Sequence, residues 1–330
     1  MTSVSTVDGV LVQWGERLFY PGNRMVKALP QPRLNTLVRR KAAVIRRRIE
    51  ATVTRRAPQV MVKVAGGGRG IGAITTHLRY ISKNGQLAFE DDRGVVQQDK
   101  EALHDLAQQW RFGGSLIEEI SPRREAFNLT LSMPRGTDPQ LVLKAAREFA
   151  KIELRDHFYV MVLHQHQANP HVHLTVRAES MSGLRLSLRR ADLHRWRETF
   201  AQRLRSHGVE AEATRQSTRG EGRRFEHLWQ RRAREAGRLR NVPLPIKSGD
   251  AYRLTRVDAL QAWAHIVAAL RGSDHATDRE LAQRISSFIA ESTFAREHGR
   301  RRERELPANA SVRPVEQIIS RDRPGPAIER

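Results

Sequence analysis

The chain has 330 residues, with 58 Lys and Arg against 36 Asp and Glu, a formal net charge of +22, and no Cys. A basic excess of this size points to a polyanionic partner, most often nucleic acid. The lack of Cys excludes disulfides and a Cys-rich structural zinc site, and no apolar run approaches the roughly 20 residues of a membrane-spanning helix.

In chain order, Met1-Thr-Ser-Val-Ser5 has no charged stretch leading into an apolar one, so no secretion signal is read and a cytoplasmic protein is expected. Residues 1–58 read as a basic N-terminal extension. Short apolar groups run from Asp8 to Tyr20, and Pro21-Gly22 and Pro30-Gln-Pro32 break the chain. Arg39, Arg40, Lys41, Arg46, Arg47, Arg48, Arg55 and Arg56 then recur around Leu37, Val38, Ala42, Val44 and Ile45 in a helical pattern. Such a helix either touches phosphates or presents a solvated face.

Val60–Ala65 is a short strand rich in β-branched residues, ending in Gly66-Gly-Gly68-Arg69-Gly70. This turn lacks the Lys-Ser/Thr of a P-loop and the spacing of a dinucleotide fingerprint, so no nucleotide cofactor is expected. Ile74–Gly85 reads as a helix with Gly85 as its cap. It carries Tyr80, one of four tyrosines, beside Arg79 and Lys83 and close to His77. Glu90–Gly94 reads as an acidic loop, residues 99–111 as a helix, and Glu125–Pro134 as an alternating strand. A helix with Thr137 or Asp138 as N-cap and Pro139 in its first turn runs to about Asp156, with Leu141, Leu143, Ala146 and Phe149 inward.

The densest signal is Met161-Val-Leu-His-Gln-His-Gln-Ala-Asn-Pro-His-Val-His-Leu174. Histidines alternate with apolar residues on both sides of a turn cluster, the pattern of a two-faced β-hairpin. A turn at Gln167–Pro170 pairs His166 with His171 and His164 with His173. All four imidazoles then share one face, with Leu163, Val172 and Leu174 on the other. Directly opposite residues have Cβ atoms about 4.5–5.5 Å apart, so three rings can close on one metal ion.

His164-Gln-His166-Gln-Ala-Asn-Pro170-His171-Val-His173 resembles the metal site of the HUH endonucleases, in the relaxase (mobilisation nuclease) branch related to VirD2 and MobA. The family pattern is His-x-Asp-x-x-x-Pro-His-x-His, and His166 stands at the position of the Asp. Leu78-Arg-Tyr80-Ile-Ser82-Lys-Asn-Gly85, after a Gly-rich turn, resembles the segment that carries the nucleophilic Tyr in VirD2-like relaxases. The resemblance covers about residues 59–220. It implies an α+β fold, an antiparallel sheet with flanking helices, over residues 59–210. It implies Tyr80 as nucleophile, a divalent cation (Mg²⁺ or Mn²⁺, with Zn²⁺ also suited) on His164, His171 and His173, and His166 as a possible accessory group. Arg69, Arg79, Lys83, Arg215, Arg219, Arg223 and Arg224 are the expected contacts to the DNA backbone. Implied partners are single-stranded transfer-origin DNA, relaxosome accessory proteins and a type IV coupling protein, without membrane insertion. Two alternatives stand: a rolling-circle initiator, whose Tyr follows the histidines and here could only be Tyr252, and a basic DNA-binding accessory protein without catalysis.

A helix over Asp192–His207 ends at Gly208. Residues 211–242 read as an Arg-rich helical extension and Pro243-Leu-Pro245 as a linker. Within a small helical region at 243–294, residues 253–293 give two helices with Leu254, Val257, Leu260, Trp263, Ile266 and Val267 as one apolar stripe. Residues 295–330 form a basic tail whose composition predicts disorder and resembles the export signals of secreted relaxases in composition alone.

Overall fold

The computed structural model describes residues 4–20, 36–222, 228–240 and 249–295. Arg223, Arg224, the prolines at 21, 30, 32, 243 and 245, and the tail beyond residue 295 lie outside those residues. In order the elements are α1 (Val4–Phe19), α2 (Thr36–Val53), β1 (Met61–Gly66), α3 (Ile71–Ile81), β2 (Phe89–Asp91), β3 (Val96–Gln97), α4 (Lys100–Phe112), β4 (Ala126–Ser132), α5 (Pro139–Glu153), β5 (Tyr159–His164), β6 (His171–Arg177), α6 (Arg190–Ser206), α7 (Leu228–Glu235), α8 (Asp250–Arg271) and α9 (Ala276–Ala290).

The strands form one six-stranded sheet in the order β1-β4-β6-β5-β2-β3, and every neighbouring pair is antiparallel. This is the expected α+β layer. The segment read as an acidic loop is a short hairpin, β2–β3, with Asp91 Oδ1 accepting from the backbone N–H groups of Arg93 and Val95. The central strands are covered on both faces, because alternate side chains point to opposite sides. Leu129, Leu131, Met161, Val172 and Leu174 pack under α5 and α6. Val160, Val162 and Ala126 pack under α3 and α4.

Asp138 caps α5 by accepting from the Gln140 N–H, with Pro139 in the first turn. Its buried face is Val142, Ala145, Ala146, Phe149 and Ala150, with Leu143 partly buried at its side. On α8 the inner positions are Ala259, Ala262, Trp263, Ile266 and Leu270, while Leu254 and Val257 are exposed. Ala146 and Phe149 on α5 and Trp263 and Ile266 on α8 face inward as expected, and the remaining positions of each stripe differ for one reason. Tracing only large apolar residues misplaces a face whose inner positions are alanines, which let helices approach closely.

The Asp8–Tyr20 stretch is helix α1, and α1 and α2 share a core with α8 and α9, built from Leu11, Phe19, Ile45, Ile49, Trp263, Ile266, Ile285 and Phe288. The first two and the last two described helices thus meet in one cluster. Within the Arg-rich extension, the described helix is α7, and residues 216–220 form turns.

The histidine hairpin differs from expectation in register. His164 pairs with His171, and Val162 with His173. The connection is therefore residues 165–170, and His166 lies in that loop rather than on the ladder. The cause is at its far end. Pro170 O accepts from the Met133 N–H and the Ser132 hydroxyl, and Asn169 Oδ1 accepts from the Arg135 N–H. Residues 169 and 170 are thereby committed to the end of β4. The offset is two residues, and side chains alternate with period two, so the facing of Leu163, Val172 and Leu174 is as expected.

Candidate metal centre and tyrosine

His164, His171 and His173 reach one point because each sits on the same face at the same end of the central strands. His164 is opposite His171, which is opposite Ser132 of β4; His173 is opposite Thr130. One donor atom from each lies within 4.8 Å of the others. Ring centroids are 5.1 Å apart for His164–His171, 4.5 Å for His164–His173 and 4.9 Å for His171–His173.

The remaining ring nitrogens are fixed by backbone. His164 Nε2 is 2.7 Å from Ile81 O, and a carbonyl only accepts, so Nε2 carries the proton and Nδ1 keeps a lone pair. That Nδ1 is buried and has no partner. His171 Nδ1 donates to Asn169 O at 2.9 Å, which leaves Nε2 as the lone-pair nitrogen. Carbonyls in these positions set tautomer and ring orientation in metal-binding histidines. Burial lowers the pKa of His164, with the Ile81 bond opposing it. Burial, reinforced by His164, His171 and His77, pushes His173 down to about 3. Neutral imidazoles are the form that a cation binds. An orphaned buried nitrogen among converging imidazoles fits a metal ion, and three nitrogen donors without a carboxylate suit a borderline ion better than a hard one.

The bond from His164 ties this cluster to the end of α3, the helix bearing Tyr80. Ile71, Ile74, Leu78 and Ile81 bury one face of α3 against the sheet face that holds the histidines. Tyr80 is 75% exposed, and its ring lies 6.3 Å from that of His77. The motif after Tyr80 builds a tight corner. Ser82 Oγ donates to Leu78 O at 2.8 Å and accepts from the Gly85 N–H at 3.1 Å. Lys83, Asn84 and Gly85 then all take positive φ, at 51°, 57° and 81°. Any Cβ on Gly85 would sit 2.5 Å from the backbone carbon of Asp99, so that position has no room for a side chain.

The other expected residues scatter. His166 is exposed in the loop, its ring 5.1 Å from His164 and its nitrogens outside the three-donor group. Arg79 and Lys83 are exposed and flank Tyr80. Arg69 is exposed at the opposite end of α3, roughly 15 Å along its axis by helical rise. Arg215 donates to Arg17 O at 2.8 Å, and Arg219 to Thr214 Oγ1 at 2.9 Å and Ala57 O at 2.5 Å, all away from the histidines. Tyr252 lies on α8 with its ring 6.1 Å from Phe294. His77, whose half-buried ring has an unpartnered Nε2, is a neighbour of the site that the sequence located beside Tyr80 without a role.

Residues 80–209 match the family model described as Relaxase: MobA/VirD2-like, nuclease domain. The matched span opens on Tyr80 and contains all three histidines. No curated protein matches the chain.

Proposed function

We propose, for a chain that carries a MobA/VirD2-like relaxase nuclease domain over residues 80–209, that Tyr80 nicks one strand of DNA at a transfer origin. A relaxase domain makes the protein a DNA-binding endonuclease. The finer reading is that the Tyr80 oxygen attacks the scissile phosphate in line. The O–P bond forms as the bond to the 3′-oxygen breaks, leaving a 5′-phosphotyrosine and a free 3′-hydroxyl. The phosphodiester energy stays in that linkage, so rejoining after transfer needs no nucleotide. The observation that carries this reading is the His164–Ile81 bond, which couples three converging imidazoles to the helix of Tyr80.

His164, His171 and His173 would hold a divalent cation: Mg²⁺ or Mn²⁺ as the relaxase resemblance implies, or Zn²⁺ as the imidazole donors suit. When bound, such an ion supplies charge that offsets the negative charge of the phosphate oxygens. The exposure of Tyr80 on the outer turn of α3 leaves it open to an incoming strand, with Arg79 and Lys83 beside it for phosphates. Accessory proteins at the origin and a type IV coupling protein complete the proposed setting, with nicking in the cytoplasm. The rolling-circle order gains no support, since Tyr252 lies on α8 with its ring beside Phe294 and no metal-ligand group around it among the described residues.

The test is incubation with labelled single-stranded origin oligonucleotides and Mn²⁺, followed by denaturing electrophoresis. Wild-type protein should form a covalent DNA adduct, and Tyr80→Phe should form none. An adduct that persists in Tyr80→Phe and disappears in Tyr252→Phe would overturn the assignment.

A further inference from the structure

The sheet face that carries the histidines is only half covered. Helices α3 and α4 close over β5, β2 and the start of β4. Further toward the β1 edge the same face is open. Cross-strand partners share a face, so the ladder pairings read out the row directly: Val162, His173, Thr130 and Lys63, on β5, β6, β4 and β1. The next row is His164, His171, Ser132 and Met61. Lys63 and Met61 are exposed, and Thr130 and Asn128 are partly so. On β1, Val60, Val62 and Val64 go to the opposite, α6-covered side.

This open strip has a consistent chemistry. Its exposed and partly exposed side chains on β1, β4 and β6 are Met61, Lys63, Ala65, Asn128, Thr130 and His173, with buried Ser132 and His171 at the metal-site end and no carboxylate among them. Lys63 makes no ion pair among the described residues, whereas much of the protein's arginine does. Met61 is a 46% exposed apolar side chain on a sheet face. Asn128 Oδ1 is buried from solvent yet has no hydrogen-bond partner.

We propose that this strip is the bed for the single-stranded DNA beside the scissile phosphate, with Lys63 holding a backbone phosphate and Met61 packing on a base. The strand runs across β6 and β4 toward β1, perpendicular to the ladders. Strands are about 4.8 Å apart, so Lys63 stands about 10 Å from His173, within a nucleotide or two of the cut. Thr130, partly exposed between them in the same row, offers a hydrogen bond to the strand. An exposed ammonium and an exposed thioether on a sheet face continuous with the centre suit an unpaired strand, which shows both phosphates and base faces. A duplex would hide the bases that Met61 needs.

The inference rests on the relaxase reading for what the strand is, but it can be tested without cleavage. Tyr80→Phe protein serves as background, and affinity for single-stranded origin oligonucleotides is followed by fluorescence anisotropy across salt. Adding Lys63→Ala should weaken binding about threefold to tenfold at low salt and cut the slope of log K against log salt by about 0.7, the share of one phosphate on single-stranded DNA. Lys63→Glu should weaken it further. Lys151→Ala, on the exposed side of α5, is the control and should change neither. Replacing single phosphates by neutral methylphosphonates should reveal one position, within two nucleotides of the cut, that weakens binding to the Lys63 protein and not to Lys63→Ala. Unchanged salt slopes, or a methylphosphonate profile identical in both proteins, would overturn the proposal. If wild type forms no covalent adduct and the Lys63 effects still appear, the nicking assignment falls and the binding strip stands.

Discussion

The His173 imidazole is held near a pKa of about 3, chiefly by burial, against about 6.5 in an unfolded chain. Above pH 6.5 the ring is neutral in both states and stability is at its full value. As pH falls toward 3, the unfolded chain takes up a proton that the native ring refuses, so stability falls with falling pH. One proton is worth about 1.4 kcal/mol per pH unit, or up to about 2 kcal/mol between pH 6.5 and 5. Urea unfolding of metal-free protein should show this acid-side loss, and His173→Gln should flatten it by about one proton. Equal slopes in the two proteins would show that the ring is not desolvated. At this scale the sequence was informative where chemistry and spacing coincide, as in His164, His171 and His173. It was uninformative for Arg215 and Arg219. An arginine that ends on a backbone carbonyl has the same side chain as one awaiting a phosphate, and only the fold tells them apart.

At the scale of elements, the hairpin faces were legible and its register was not. Alternation fixes which side a residue faces, but pairing depends on where the turn closes. Here that depends on bonds from Pro170 and Asn169 to the β4 end, far off in sequence. The turn after α3 shows the converse. Ser82-Lys-Asn-Gly85 is a local motif whose reason becomes physical in three dimensions: the corner presses on the start of α4. Gly85→Ala adds a Cβ 2.5 Å from the Asp99 backbone at a φ of 81°. Neither the backbone nor the dihedral can give way cheaply, so a loss of about 2–3 kcal/mol is expected. Since Ile81, whose carbonyl anchors His164, immediately precedes Ser82 in this corner, the same variant should lower nicking and weaken metal binding together. Calorimetric titration with Mn²⁺ or Zn²⁺ beside thermal melts would check both. Asp138→Ala, which removes the α5 cap on the other side of the sheet, should cost about 1 kcal/mol and leave metal affinity alone.

At the scale of the molecule, the surplus of charge conceals how differently neighbouring cations are used. Arg46, Arg47 and Arg48 are consecutive, yet Arg47 is exposed, Arg46 joins Asp8 of α1 to Asp278 of α9, and Arg48 is buried. The sequence left phosphate contact and a solvated face open for this helix, and two of these three guanidinium groups do neither but hold the fold together. Arg48 Nη2 lies 2.7 Å from Glu198 on α6 and 3.0 Å from Glu212, with the rings of Phe19 and Tyr20 each 4.9 Å from its Cζ. Burial pushes this guanidinium pKa down, but Glu198 and Glu212 outweigh it and the net shift is upward. Burial also raises Glu198 in spite of its partner. Arg48 is therefore a charged rivet between the helical cluster and the sheet domain. Arg48→Met leaves the carboxylates desolvated without a cation, and breaking one side of a buried pair costs about 3–5 kcal/mol. Guanidinium or urea unfolding should show that loss. Adding Glu198→Gln and Glu212→Gln to Arg48→Met should recover much of it, because the stranded charges are then gone. A loss under about 1 kcal/mol for Arg48→Met, or no recovery in the triple variant, would mean that solvent reaches the junction and that Arg48 does not hold the two cores together.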